Sequence, residues 1–224
     1  MMGYHIDMIK AVIFDFDGTL GDTEPFYAVN FDDTMKEYGV ICDEEDHIAF
    51  IGYGPYDKVR IVEEKYGVKI DADEAAASFR KKNNDRFPED ASCFLFDDVI
   101  GCLNFCKEKG LSCYICSNTD SARVEMMVKQ MGIYEYFDGI SGKDLCGARK
   151  PSPVPYLYML DKYGYQKDEV IVIEDSAGGV RSAKAAGLNT LGLERVKGLY
   201  LEEADEHITS LDDVLKIISG PVTL

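Results

Sequence analysis

Three short apolar runs, each ending in polar residues, constrain this chain more than anything else in it. They are "AVIFDF" (11–16), "LSCYICS" (111–117) and "VIVIED" (170–175). Their apolar residues run on continuously instead of alternating, as in parallel strands covered on both faces. Two shorter runs, "GIS" (139–141) and "TLGL" (190–193), bring the expected strands to five. Helical patterns separate them. Residues 98–109 carry Val99, Leu103 and Cys106 on one face, and residues 121–131 carry Val124, Met127, Val128 and Met131 before Gly132. Two more, 154–163 and 178–186, stop at Gly164 and Gly187, a common helix ending. The tail, 210–219, opens on Ser210 with Asp213 three residues on, a start like a capping box. Strand–helix alternation of this kind predicts an α/β fold, a doubly wound parallel sheet with right-handed crossovers.

The gap between the first two strands is too long for a single crossover. Residues 20–90 read as helices, at 25–38, 56–66 and 72–86, with no clear strand. The expectation is therefore a core formed by residues 1–19 and 91–224, with an all-helical insertion at 20–90. Two hinges should join them, near 19–23 and 88–93. A chain of 224 residues suits one large domain or a domain with an insertion, and 46% apolar residues suffice for a core.

Composition narrows the partners. The formal charge is −17, from 41 acidic and 24 basic residues, which argues against nucleic acid and against an anionic membrane surface. No run of eighteen apolar residues is present, so no membrane span is expected. The opening "MMGYHIDMIK" lacks the layout of a signal peptide, and a cytoplasmic protein is expected. Nothing in the pattern decides between monomer and dimer. Seven cysteines form no disulfide framework. Cys102, Cys106, Cys113 and Cys116 resemble a zinc set in number only. Cys113 and Cys116 lie three apart on an expected strand and so point to opposite faces. They read as buried thiols.

In an open parallel sheet, ligands bind beyond the carboxyl ends of the strands. Those ends carry Asp15-Phe16-Asp17-Gly18-Thr19, Ser117-Asn118-Thr119-Asp120 and Glu174-Asp175-Ser176, with Lys143 and Lys150 following the third strand. Asp15, Asp17, Glu174 and Asp175 would repel one another unless a cation joined them. A hard divalent cation that favours oxygen ligands, with Mg²⁺ first, solves this. Together with a lysine it would make one spot on an acidic protein attractive to phosphate.

Four stretches in this order, "DFDGTL", "ICSN", "RKPSP" and "VIEDSAGGVRSAKAAG", resemble the motifs of the haloacid dehalogenase-like hydrolase superfamily, in its helical-cap branch of phosphatases and β-phosphoglucomutase-like enzymes. The resemblance spans essentially the whole chain. It implies a Rossmann-like core with a helical cap, and a Mg²⁺-dependent phosphatase acting through an aspartyl-phosphate on a small phosphorylated metabolite, such as a sugar phosphate or phosphoglycolate. It makes Asp15 the nucleophile and Asp17 the general acid/base. Asp15, the backbone carbonyl of Asp17, and Asp175 would hold Mg²⁺, with Glu174 nearby or acting through water. Ser117, Asn118 and Lys150 would bind the transferring phosphoryl group, Lys143 being a weaker competitor for the lysine role. In the cap, Tyr53 and Tyr56 are candidate substrate contacts or simply packing residues. The stretch "FIGYGPYDKVR" (50–60) has no arginine before Asp57, which departs from the mutase pattern. A β-phosphoglucomutase-like phosphotransferase stays as the alternative. A dehalogenase has no need of Asp17, and a silent binding protein has no need of the full set.

Overall fold

The first strand, β1 (Ala11–Phe14), is buried along its whole length, as a central parallel strand must be. In the computed structural model, which describes residues 8–50, 53–195 and 200–219, it lies inside a six-stranded sheet. The other strands are β2 (Ser112–Cys116), β3 (Gly139–Ser141), β4 (Val170–Glu174), β5 (Asn189–Leu193) and β6 (Glu206–Ile208). Their order is β3-β2-β1-β4-β5-β6 and every pairing is parallel. The start of the chain and the pair Ile51–Gly52 lie outside the described residues, so the leader reading and part of the 50–60 stretch have no structural counterpart here.

Ten α-helices accompany the strands among the described residues. In chain order they are α1 (Glu24–Met35), α2 (Glu44–Phe50), α3 (Pro55–Tyr66), α4 (Ala72–Arg86), α5 (Val99–Glu108), α6 (Ser121–Gln130), α7 (Lys143–Cys146), α8 (Val154–Tyr163), α9 (Ala177–Ala186) and α10 (Asp212–Ser219). Side chains alternate across a strand, and each sheet face collects one set. Ala11, Ile13, Tyr114, Cys116, Val170 and Val172 share a core with Tyr156, Met159 and Leu160 of α8 and with Ala183 and Ala186 of α9. Cys113 faces the other way, where its thiol meets those of Cys102 and Cys106 on α5. The doubly wound parallel sheet expected from the sequence is therefore present. Burying each large apolar side chain contributes about 1.5–3 kcal/mol.

The chain divides into two units, Met1–Asp22 with Asp90–Leu224, and Thr23–Glu89. The second holds α1 to α4 around Phe31, Met35, Phe50, Val59, Val62 and Phe79. Asp71 caps α4 by accepting from the Asp73 and Glu74 amides. A buried polar link crosses this unit: Asn30 donates to Asn83 at 2.8 Å, and Arg86 donates to both Asn30 and Asp33.

Three elements depart from the sequence reading. Helix α2 shows no apolar periodicity in the sequence because its face is mostly charged. Its start is a reciprocal cap, in which the Asp43 amide donates to Asp46 and the Asp46 amide to Asp43. Strand β6 is three polar-leaning residues at a sheet edge, too short to show a period. Helix α7 is a single turn.

Candidate active site

The register sets the site. Phe14 pairs with Ile115 on β2 and with Ile173 on β4, so Asp15 stands level with Cys116 and Glu174. The chain switches from one side of β1 to the other here, which opens the crevice at the strand ends. The Asp15 amide still donates to the Ile173 carbonyl at 2.9 Å, while its side chain is free to leave the ladder.

Lys150 organises the buried charges. Its Nζ donates to Asp15 Oδ1 at 2.6 Å, Glu174 Oε1 at 2.5 Å and the Cys116 carbonyl at 2.6 Å. The Tyr156 hydroxyl donates to the same Glu174 oxygen at 2.5 Å. Asp15, Glu174 and Asp175 each bring one carboxylate oxygen within 4.8 Å of the others. One lysine thus faces three acids. Burial pushes the Asp15 carboxyl up to about 8, against the pull of Lys150 and with Glu174 and Asp17 adding to the rise. Burial, Asp15 and Glu174 likewise hold Asp175 well above the ordinary carboxylate range. Burial alone would lower the Lys150 ammonium, but Asp15 and Glu174 outweigh it and keep it charged. A cluster of buried oxygens short of positive charge fits a hard divalent cation. Two glycines make the close packing possible. Gly18 has φ +85°, and a Cβ there would sit 2.0 Å from Asp175 Oδ2. A Cβ on Gly179, in the first turn of α9, would sit 1.8 Å from Glu174 Oε2.

The second strand end braces this centre. Asn118 grips the Lys150 backbone from both sides, accepting from its amide at 2.8 Å and donating to its carbonyl at 3.2 Å. The side chain expected to bind phosphate therefore holds the lysine loop. Ser117, buried, accepts from the Thr119 amide at 3.0 Å, and an accepting hydroxyl keeps its own proton to donate. Thr119 Oγ1 donates to Asp17 Oδ2 at 3.1 Å, and Thr19 Oγ1 contacts Asp175 Oδ1 at 3.4 Å. Lys143, the competitor, pairs with Asp120 at 3.1 Å, whereas Lys150 meets Asp15. In the helical unit, the Tyr56 hydroxyl donates to Asp73 and accepts from Arg80, so α3 and α4 are tied through it. Tyr53 precedes α3 and is 52% exposed.

Residues 12–193 match the family of haloacid dehalogenase-like hydrolases. The chain belongs to that family. It is similar to the phosphorylated carbohydrates phosphatase of Thermotoga maritima, 28% identical over 193 residues that cover 85% of each chain. It is similar also to the phosphoglycolate phosphatase of Thiobacillus denitrificans, 32% identical over 189 residues and 80% of each chain. A crystal structure of a predicted phosphoglycolate phosphatase from Haemophilus somnus 129pt shares the fold, with TM-score 0.83, 22% identity, and coverage of 94% of this chain and 98% of that one.

Several members of this haloacid dehalogenase-like site carry no sequence signal of their own. Tyr156 reads as one more apolar position on α8, and only its place six residues after Lys150 hints at more. Thr119 stands beside Ser117 and Asn118 yet has no motif of its own. Arg195 is farther still. Its guanidinium forks onto Asp98 at 2.8 and 3.1 Å, donates to the Thr19 carbonyl at 3.0 Å and stacks 3.7 Å over Phe96.

Proposed function

We propose that the protein is a Mg²⁺-dependent phosphatase that hydrolyses a small phosphomonoester, of sugar phosphate or phosphoglycolate type, through an aspartyl-phosphate on Asp15. The observation that supports this most is the Lys150 ammonium, held between Asp15 and Glu174 at the end of β1 with Asp175 alongside. Asp15 would attack phosphorus while Lys150 and the Ser117 hydroxyl steady the equatorial oxygens. Asp17 would give its proton to the departing alcohol and then take one from the attacking water. Held by Asp15, Asp175 and the Asp17 carbonyl, Mg²⁺ would supply neutralising charge between an anionic nucleophile and an anionic ester. Glu174 would serve as the counter-charge that keeps Lys150 in place, since two donors already occupy its Oε1. Asn118 would act through the lysine loop it grips.

The test is a phosphate-release screen over sugar phosphates, phosphoglycolate and p-nitrophenyl phosphate, with Mg²⁺ and with chelator. Release that needs Mg²⁺ and falls at least about a thousand-fold in Asp15→Asn is the expected outcome. Unchanged turnover in Asp15→Asn would remove the nucleophile assignment.

A further inference from the structure

We infer that Thr119 is a positioning residue for Asp17: its hydroxyl holds in place the carboxyl that delivers a proton to the leaving alcohol. This rests on the phosphatase reading above, which assigns Thr119 no part. The geometry lies wholly within the α/β unit. Thr119 follows β2 by three residues, and its backbone is held at both ends. Its amide donates to Ser117 Oγ at 3.0 Å and its carbonyl accepts from the Lys143 amide at 3.3 Å. Gly142 presses against it, for a Cβ at Gly142 would sit 2.4 Å from the Thr119 carbonyl oxygen. Threonine is stiff about χ1, so a fixed backbone aims a fixed hydroxyl. That hydroxyl donates to Asp17 Oδ2 at 3.1 Å. The Asp17 backbone is anchored separately, by pairing with Gly21 in the turn that Gly18 makes possible.

That hydrogen bond fixes one edge of the Asp17 carboxyl relative to the end of β2. In the first step the Asp15 oxygen bonds to phosphorus, the ester P–O bond breaks, and the leaving oxygen takes the Asp17 proton. The resulting Asp17 carboxylate keeps its Thr119 hydrogen bond. In the second step water bonds to phosphorus, the acyl-phosphate P–O bond breaks, inorganic phosphate leaves, and the water proton returns to Asp17. Thr119 contributes to the first step in proportion to how much the alcohol needs a proton.

The experiment compares kcat/KM, which reports on steps through alcohol release, for Thr119→Val and Thr119→Ser on two esters. One is p-nitrophenyl phosphate, whose leaving group departs without help, and the other is an alkyl ester, glycerol 2-phosphate. Thr119→Val is expected to lose roughly tenfold or more on the alkyl ester, a share of the 10²–10⁴ typical of general acid catalysis, and several-fold less on the aryl ester. Thr119→Ser is expected to restore most of the alkyl activity. Equal loss on both esters, no loss, or failure of serine to rescue would overturn the inference. Asp17→Asn runs alongside. If Asp17→Asn, relative to the parent, loses more on the alkyl than on the aryl ester and Thr119→Val does not, only the Thr119 role falls. If the parent releases phosphate from neither ester, nor from any other phosphomonoester tested, the phosphatase reading falls and takes the inference with it.

Discussion

At the scale of single residues, the centre is organised by shared acceptors. Glu174 Oε1 takes hydrogens from both Lys150 and Tyr156, and all three side chains are buried. Burial and the Glu174 carboxylate push the Tyr156 phenol well up, so it stays a donor. A hydrogen bond to a charged group is worth about 1.5–3 kcal/mol. Tyr156→Phe removes only the hydroxyl, and denaturant unfolding should show a loss of about 2 kcal/mol; a change under about 0.5 kcal/mol would mean the bond is not made. The acids themselves were legible in the sequence, because carboxylates at buried strand ends demand a partner. Lys150 was legible from its motif. Tyr156 was not, since a tyrosine on an apolar helix face looks the same whether or not its hydroxyl meets a buried carboxylate.

At the scale of elements, side chains from one segment fix the ends of others. Asp98, at the head of α5, is forked by Arg195 and accepts from the Ser210 hydroxyl and the Leu211 amide just before α10. Burial alone would raise its carboxyl, but these donors outweigh it, and the group sits below the ordinary aspartate range. A depressed carboxylate stabilises the fold above its unfolded value of about 3.9, and that contribution fades as pH falls through the folded value. Asp98→Asn should therefore cost about 3 kcal/mol at pH 7, with the gap to the parent narrowing below about pH 4. Thermal unfolding across pH checks this, and a gap independent of pH would contradict it. The capping reading at Ser210 was close in residues but not in bonding. Ser210 Oγ accepts from the Asp212 amide and gives its own hydrogen to Asp98. The buried strands were readable because each is a continuous apolar run. Edge strand β6 and helix α2 were not, because partners distant in sequence, or a cap made of two aspartates, supply what periodicity lacks.

At the scale of the whole molecule, a formal charge of −17 surrounds a site proposed to receive an anion. The long-range field opposes substrate approach, while Lys150 acts only at short range. Raising ionic strength from about 0.01 to about 0.15 M shortens the Debye length from about 30 to about 8 Å. With Mg²⁺ kept saturating, kcat/KM for a dianionic ester should then rise, and a fall would show that local positive charge governs encounter. The α/β class was legible from the alternation of strand and helix patterns, whereas the strand order β3-β2-β1-β4-β5-β6 was not, because pairing between strands distant in sequence leaves no local pattern. The central claim is that Asp15 carries the phosphoryl group. Its most direct measurement is to quench the enzyme with acid during turnover, reduce with borohydride and locate the modified residue by peptide mass spectrometry. Conversion of Asp15 to homoserine, dependent on substrate and Mg²⁺, is the predicted result. Rapid phosphate release with Asp15 unmodified, or with the label on another residue, would contradict it.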